Sequence, residues 1–429
     1  MARELQVLVT DEKVGTLSLD KGRIRFVYDE TWRQGIDSFP LSLSMPLTAA
    51  EHSGAPIENY LWNLLPDREQ TLIDLARRHS VTYSNPFALI GKLGRDLPGA
   101  VQIVPTEEIE DAMKREGVKR VGEEALADFL KRLVQNPSLN RINQDANHFS
   151  LAGAQPKKAI LRINRRWYEH NGRTPTTHIL KPPMLDLKAP VENELFCLLL
   201  AQAVGLRTAK SEAVTIGGEP AILVERYDRV RLDGESRIPL TKSGGTIYRI
   251  HQEDCCQATA RPPSQKYQNQ GGPSMSDVMQ ILEGSQDANE DRERFMKASA
   301  FNFVILGIDA HAKNFSILVD PTGFRLAPLY DIISAAAYDT HFYDKMAMKI
   351  GGEYRWRWIG IRHWERAARE CRYPAGTLLT HVRDMIRLVS FNAPEVLKEC
   401  RRSGLTASFL DDLSDALIRR CQMLTAAYA

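Results

Sequence analysis

Apolar and polar positions alternate almost from the start of the chain. Leu5-Gln-Val-Leu-Val9, Val14-Gly-Thr-Leu-Ser-Leu19 and Ile24-Arg-Phe-Val-Tyr28 read as three strands, with Asp20-Lys-Gly22 as the turn between the last two. Helical spacing after Pro66 predicts a helix over 67–79, and a second is expected over 122–135. Alternation returns in 157–182: Lys158–Ile163 and Trp167–Glu169 read as strands, Asn171-Gly172 as a type I′ hairpin signal, and His178–Lys181 as a short strand before two prolines. Pro190 opens a helix over 190–204, with Leu195, Leu198, Leu199 and Val204 on one side and Gly205 beyond its end. Residues 209–216 and 221–227 predict further strands. From 275 the pattern is mainly helical, broken by a hairpin over 315–319 and 323–326.

The order is therefore β-rich, one helix, β, then mostly α. That is the order of a bilobal, protein-kinase-like α+β fold. The expected division is 1–110, a β-rich subdomain; 111–228, the rest of a smaller lobe; and 229–429, a helical lobe. A chain of 429 residues can bury a core in each part. Its net charge of +2 is too balanced to announce a nucleic-acid binder. Six cysteines are scattered without a C-x-x-C pair, so a zinc or redox site is not expected, and they read as reduced, buried thiols. The first residues lack a signal-peptide pattern and no apolar run is long enough to span a membrane, so the cytoplasm is the expected compartment.

Candidate chemistry begins with Gly307-Ile-Asp309-Ala-His-Ala-Lys313-Asn314. An Asp and an Asn separated by four residues match a kinase catalytic loop. The aspartate can take the proton of an attacking hydroxyl while the asparagine holds Mg²⁺. Such spacing is common by chance, so its companions matter. Beyond the expected hairpin, Asp331 in Leu329-Tyr330-Asp331 stands where a second Mg²⁺ ligand belongs; its plain alternative is a helix cap before Ile332-Ile-Ser. Lys181 ends an apolar strand and can reach phosphates as a point charge, with Glu194 or Glu192 on the next helix as its acidic partner; otherwise it is a solvated strand end. Ser150-Leu-Ala-Gly-Ala-Gln-Pro-Lys157 sets small residues between strands, where backbone N–H groups can approach phosphate; with one glycine, an ordinary turn is the alternative. Leu223-Val-Glu225-Arg226-Tyr227-Asp228 ends a strand where two lobes would join, so its backbone could read an adenine edge, or it is a plain charged strand exit. The ordered set points to ATP and Mg²⁺.

Ser150–Gln155, Glu225–Asp228, Gln252–Asp254, Lys266–Asn269 with Gly271–Pro273, Asp309–Ser316 and Pro328–Ser334, together with the leading 5–19 segment, resemble the HipA family, the toxins of bacterial HipBA toxin–antitoxin modules. The resemblance spans nearly the whole chain. It implies a fold related to protein and phosphatidylinositol kinases, with Asp309 as base and Asn314 and Asp331 as metal ligands. Lys181, Ala152, Gly153, Ala154, Gln155, Pro156, Lys157, Glu225, Arg226, Tyr227, His311, Lys313, Asn314, Tyr330 and Asp331 would line the ATP site. It further implies phosphorylation of glutamyl-tRNA synthetase, arrest of translation and dormancy. A HipB-type helix-turn-helix antitoxin would bind the chain and carry it to operator DNA. Autophosphorylation at Ser150 would silence the kinase. Pro156 departs from the family, which often has an acidic residue there, and removes one N–H from the loop.

Other signals have plainer readings. His251, Cys255 and Cys256 read as packing residues. Tyr354-Arg-Trp-Arg-Trp358 reads as a strand with one buried face rather than a nucleic-acid contact, and Arg383 and Arg387 as a solvated helix face. Two rival functions remain: a small-molecule kinase, and a catalytically idle, antitoxin-bound co-repressor.

Overall fold

The computed structural model describes residues 4–9, 12–110, 118–136, 155–169, 174–232, 246–339 and 344–429. The chain forms two compact units, each built from separated stretches: 1–182, 215–264 and 317–323 in the first, and 183–214, 265–316 and 324–429 in the second.

The first unit opens with a five-stranded antiparallel sheet, made of β1 (Glu4–Val9), β2 (Glu12–Asp20), β3 (Arg23–Tyr28), β4 (Glu51–Ser53) and β5 (Val101–Pro105), in the order β4-β3-β2-β1-β5. Lys21 and Gly22 both take positive φ, 47° and 83°, in the two-residue turn between β2 and β3, which suits the twist of the strands they join. Interior strand β1, between β2 and β5, is buried along most of its length, whereas β3 buries Ile24, Phe26 and Tyr28 in alternation. Helices Ala55–Asn63 and Pro86–Leu93 contribute Ile57, Tyr60, Leu61, Phe87, Leu89 and Ile90 to the same core.

A second sheet comprises β6 (Lys119–Val121), β7 (Lys158–Ile163), β8 (Arg166–Glu169), β9 (His178–Lys181), β10 (Ser211–Ile216) and β11 (Glu219–Glu225), ordered β10-β11-β9-β7-β8-β6. The β7–β8 hairpin turns at Asn164-Arg165, both at positive φ (48° and 62°), and not at Asn171-Gly172, which lies outside the described residues. Strand β8 has already ended at Glu169, before that Asn-Gly pair, so the pair does not make the β7–β8 turn. Helix Glu123–Gln135 buries Leu126, Phe129, Leu130 and Leu133.

Strand β12 (Arg229–Leu232) pairs with β13 (Thr246–Arg249), and β14 (His251–Asp254) follows. Here a buried ionic network ties the first sheet's closing loop to the strands. Asp96, fully buried, accepts hydrogen bonds from Thr176 Oγ1 (2.7 Å), Arg229 Nη2 (3.0 Å), Arg249 Nη2 (3.1 Å) and Arg226 Nη1 (3.3 Å). Asp228 accepts from Arg226 Nη2 (2.9 Å) and from Gly99 N–H (2.7 Å). A Cβ at Gly99 would fall 2.7 Å from Gln252 N, and the residue has φ +77°, so only glycine fits this close approach. Burial pushes the Asp228 carboxyl up, but the Arg226 and Arg229 guanidiniums hold it below the usual range. Nearby, Glu253 accepts from Leu43 N–H at 2.8 Å, and burial raises its carboxyl to about 8.

The second unit is helical: Pro190–Ala203, Met275–Leu282, Ala288–Ile305, Ile361–Glu370, Ala375–Arg402 and Phe409–Ala427. Phe295, Phe301, Phe303, Trp364 and Phe409 fill its core. The hairpin strand β15 (Ser316–Asp320), all but its first residue in the first unit, and β16 (Gly323–Leu326) precede β17 (Lys345–Ile350) and β18 (Glu353–Arg355). Strand β18 stops at Arg355, and Trp356–Trp358 is a 3₁₀ turn, not the expected strand. The turn sets Trp356 over the Arg420 guanidinium (4.7 Å), while Trp358 is largely exposed. All six cysteines are buried and unbridged. Among the described residues no helix is long and apolar enough to cross a membrane.

Candidate active site

The site grows from the end of helix Ala288–Ile305. Leu306 takes a left-handed conformation (φ 55°), and Gly307 N–H bonds back to Asn302 O at 2.7 Å. A Cβ on Gly307 would meet Asn302 Oδ1 at 2.3 Å, so this turn off the helix requires glycine. The chain then folds on itself. His311 N–H donates to the Asp309 carbonyl (2.8 Å), and so does Asn314 Nδ2 (2.8 Å). The four-residue separation is thereby explained: a 3₁₀ turn over Ala312–Asn314 brings the asparagine back onto the aspartate's own backbone.

Two sets of anchors hold the segment carrying Asp331. On one side Asp291 accepts from Leu326 N–H (2.7 Å), Arg294 donates to the Leu326 carbonyl (3.0 Å), and Leu329 bonds to Arg207 O (2.9 Å) and Ala209 N–H (2.8 Å). On the other, Asn193 donates to Ser334 O (2.8 Å) and accepts from Ser334 N–H (2.8 Å), while Ser334 Oγ donates to Ile305 O and Ala335 N–H to Leu306 O (2.9 Å). Asp331, between them, is forced into the left-handed region at φ 56°, a strained conformation that persists where both flanks are fixed. No helix follows it, so the helix-cap alternative is overturned. Tyr330 OH donates to the Lys313 carbonyl (2.7 Å) and bonds Ser316 Oγ (2.6 Å), bracing the Asp331 segment against the loop of Asn314.

Asp309, Asn314 and Asp331 line one cleft with Asn302, Gly307 and Tyr330. Its volume, about 10 Å³, is that of a single water-sized species. Among the described residues no group of three or more His, Cys, Asp or Glu side chains could hold a metal. An amide and a carboxylate are hard oxygen donors, and Mg²⁺ is ordinarily held by one or two such groups plus phosphate oxygens, so this pair fits that ion.

The remaining sequence-derived residues fall as follows. Lys181, buried, ends β9 opposite Ile222 of β11 in the first unit. Glu194, buried, and Glu192, half-buried, lie on helix Pro190–Ala203 in the second. Gln155 and Lys157 are half-buried and Pro156 is buried, whereas Ser150, Ala152, Gly153 and Ala154 lie outside the described residues. Glu225 closes β11, and Tyr227 OH donates to Gln252 Oε1. The Arg226 guanidinium is committed to Asp96, Asp228, Thr176 and the Leu97 carbonyl, while its main-chain N–H donates to Thr177 O (2.9 Å) and its carbonyl accepts from Arg229 N–H (3.2 Å). Lys313 and His311 are buried, with His311 Nε2 3.9 Å from Asp309 Oδ1.

Tyr267 was not assigned a role from sequence. Its hydroxyl donates to Asp309 Oδ1, and its ring meets His311 edge-on at 5.0 Å. Asp309 lies 42 positions away, so no spacing could have revealed the pair.

The HipA N-terminal domain family matches residues 5–104, and the HipA-like C-terminal domain family matches 149–392. The chain belongs to the HipA family. It is 32% identical to Y4mE of Sinorhizobium fredii, over 98% of both chains. It is 29% identical to the serine/threonine-protein kinase toxin HipA of Shewanella oneidensis, over 82% of this chain and 79% of that one. Among solved structures it resembles HipA of Shewanella oneidensis MR-1 in its complex with HipB and operator DNA, with a TM-score of 0.81 and 25% identity over 98% of this chain and 97% of that one. The fold is thus the α+β, kinase-like fold of HipA, as its element order had indicated.

Proposed function

We propose that this HipA-family chain is an ATP- and Mg²⁺-dependent serine/threonine protein kinase that acts as the toxin of a toxin–antitoxin pair. The reading is carried by the single cleft that Asp309, Asn314 and Asp331 line. Asp309 takes the proton of the acceptor hydroxyl while that oxygen bonds to the γ-phosphorus of ATP. The bond to the β-phosphate oxygen breaks and ADP leaves. Asn314 and Asp331 would hold Mg²⁺, which when bound would neutralise charge on phosphate oxygens. Lys181 gives a point charge to the phosphates, with Glu194 as its acidic partner. The 152–157 loop approaches them with backbone N–H groups. The main chain of Glu225, Arg226 and Tyr227 meets the adenine edge, and His311, Lys313 and Tyr330 shape the floor.

The likeness to Shewanella HipA bound to HipB and operator DNA supports a HipB-type antitoxin as partner and operator DNA as the target of that complex. The family resemblance supports glutamyl-tRNA synthetase as substrate, with arrested translation, dormancy and persistence as the consequence in the cytoplasm. Autophosphorylation of Ser150 would add about −1.5 to −2 charge beside the ATP phosphates and silence the enzyme. Incubation with labelled ATP and glutamyl-tRNA synthetase tests the substrate: label on the synthetase is expected, and label on other proteins but never on the synthetase would sink that choice. Ser150→Ala should remove the autophosphorylated peptide and prolong toxicity.

A further inference from the structure

A second cavity, of about 430 Å³, meets the cleft at Asp309. Asn314 and Asp331 take no part in lining it. Its walls are largely apolar: Leu187, Ile308, Ile333, Met346 and Ala347. Among the described residues Asp309 is its only carboxylate and Lys345, exposed, its only cation. Asn269 and Gln270, both exposed, add amide groups suited to the backbone of an extended chain.

The lining is fixed by a turn built for the purpose. The Tyr267 carbonyl accepts from Gln270 N–H (2.9 Å) and Gly272 N–H (3.0 Å), and Lys266 O accepts from Ala312 N–H (3.3 Å) in the catalytic loop. A Cβ on Gly272 would fall 2.1 Å from the Gln265 carbonyl, so the turn closes only around glycine. Gln268 Oε1 accepts from Lys349 N–H (2.6 Å), which fastens the turn to β17, the strand that brings Lys345, Met346 and Ala347. Tyr267 thus stands at the boundary of the two cavities with its hydroxyl on the base.

We propose that this cavity is the acceptor subsite, and that it takes a polypeptide segment whose side chain beside the Ser or Thr hydroxyl is apolar. The inference rests on the kinase reading above. A base must face the acceptor on one side and the metal-bound phosphate on the other, and Asp309 is the residue that both cavities share with the catalytic loop. An apolar wall rewards an apolar neighbour, and an acidic one would be brought up against Asp309. A nucleotide is the poorer occupant, because neither residue of the hard-donor pair faces this space.

A library of Ser and Thr peptides, varied at the flanking positions and phosphorylated with labelled ATP, tests it. The wild type should prefer Leu or Met beside the hydroxyl over Asp or Glu by about tenfold or more in kcat/KM. Ala347→Phe, which fills the cavity, should bring the Leu-to-Ala preference down towards unity. Met346→Ala, which enlarges it, should shift the preference to larger side chains. Peptides phosphorylated without regard to their flanks, or a preference unchanged in both variants, would overturn the subsite and leave the kinase reading standing. A wild type that labels neither peptide nor protein would overturn both.

Discussion

Asn193 is the side chain through which the fold of the second unit sets the position of Asp331. Its amide bonds both main-chain groups of Ser334, at 2.8 Å each, and reaches Tyr338 OH at 3.1 Å. Ser334 is fully buried, so in Asn193→Ala no water replaces those bonds. An unsatisfied buried backbone group costs about 1–3 kcal/mol, so two of them cost on the order of 3 kcal/mol. A loss of that size lowers the thermal midpoint of a unit this large by roughly 6–12 °C. The same loss frees one flank of Asp331, whose left-handed conformation needs both. Urea unfolding read by Trp356, Trp358 and Trp364, and binding of MgATP against metal-free ATP by calorimetry, measure the two effects. Both stability and the Mg²⁺-dependent part of ATP affinity should fall. A variant within about 0.5 kcal/mol of the wild type, or one that loses stability but keeps its Mg²⁺ dependence, would refute this link between packing and site.

Three further outcomes are expected. Asp96→Asn withdraws one of the two carboxylates that neutralise Arg226, Arg229 and Arg249, and should cost about 3–5 kcal/mol by urea denaturation; a change under about 1 kcal/mol would mean the network is better solvated than its burial implies. Tyr267→Phe should lower kcat about tenfold with little change in KM for ATP, since it removes a hydrogen bond to a half-exposed carboxylate, and an unaltered kcat would contradict a positioning role. Glu253 keeps its proton to about pH 8 in the folded chain against an ordinary 4.5, so its favourable protonated form is complete below 4.5 and is lost as pH rises through 8. Glu253→Gln, which mimics that form, should therefore gain stability over the wild type between about pH 5 and pH 9, by several kcal/mol; equal urea midpoints across that window would show the carboxylate to be solvated.

What could be read from the sequence was what short-range pattern controls. The strands β1 to β3, the turn at Lys21-Gly22, the strand ending at Lys181 and the helix opening at Pro190 follow from alternation, proline placement and positive-φ residues. The Asp309–Asn314 spacing was legible because one loop turn makes the contact. The β7–β8 turn misled, because Asn164-Arg165 lacks the glycine of the usual signal while Asn171-Gly172 has it. Trp356 and Trp358 alternate like strand residues, but the packing of Arg420 between Trp356 and Phe303 decides that turn, and those partners are far apart in the chain. Tyr267 on Asp309, Asn193 on Ser334 and Asp96 among three arginines join residues 42 or more positions apart, so only tertiary packing brings them together. Each compact unit likewise draws on separated stretches, which a division made along the chain cannot express.

The central claim concerns one carboxylate and its proton. A single-turnover measurement with labelled MgATP and a protein acceptor should show phosphoryl transfer by the wild type and none by Asp309→Gln, although the variant still folds and still binds ATP. Transfer by Asp309→Gln at a rate near that of the wild type would contradict the assignment of that residue as the base.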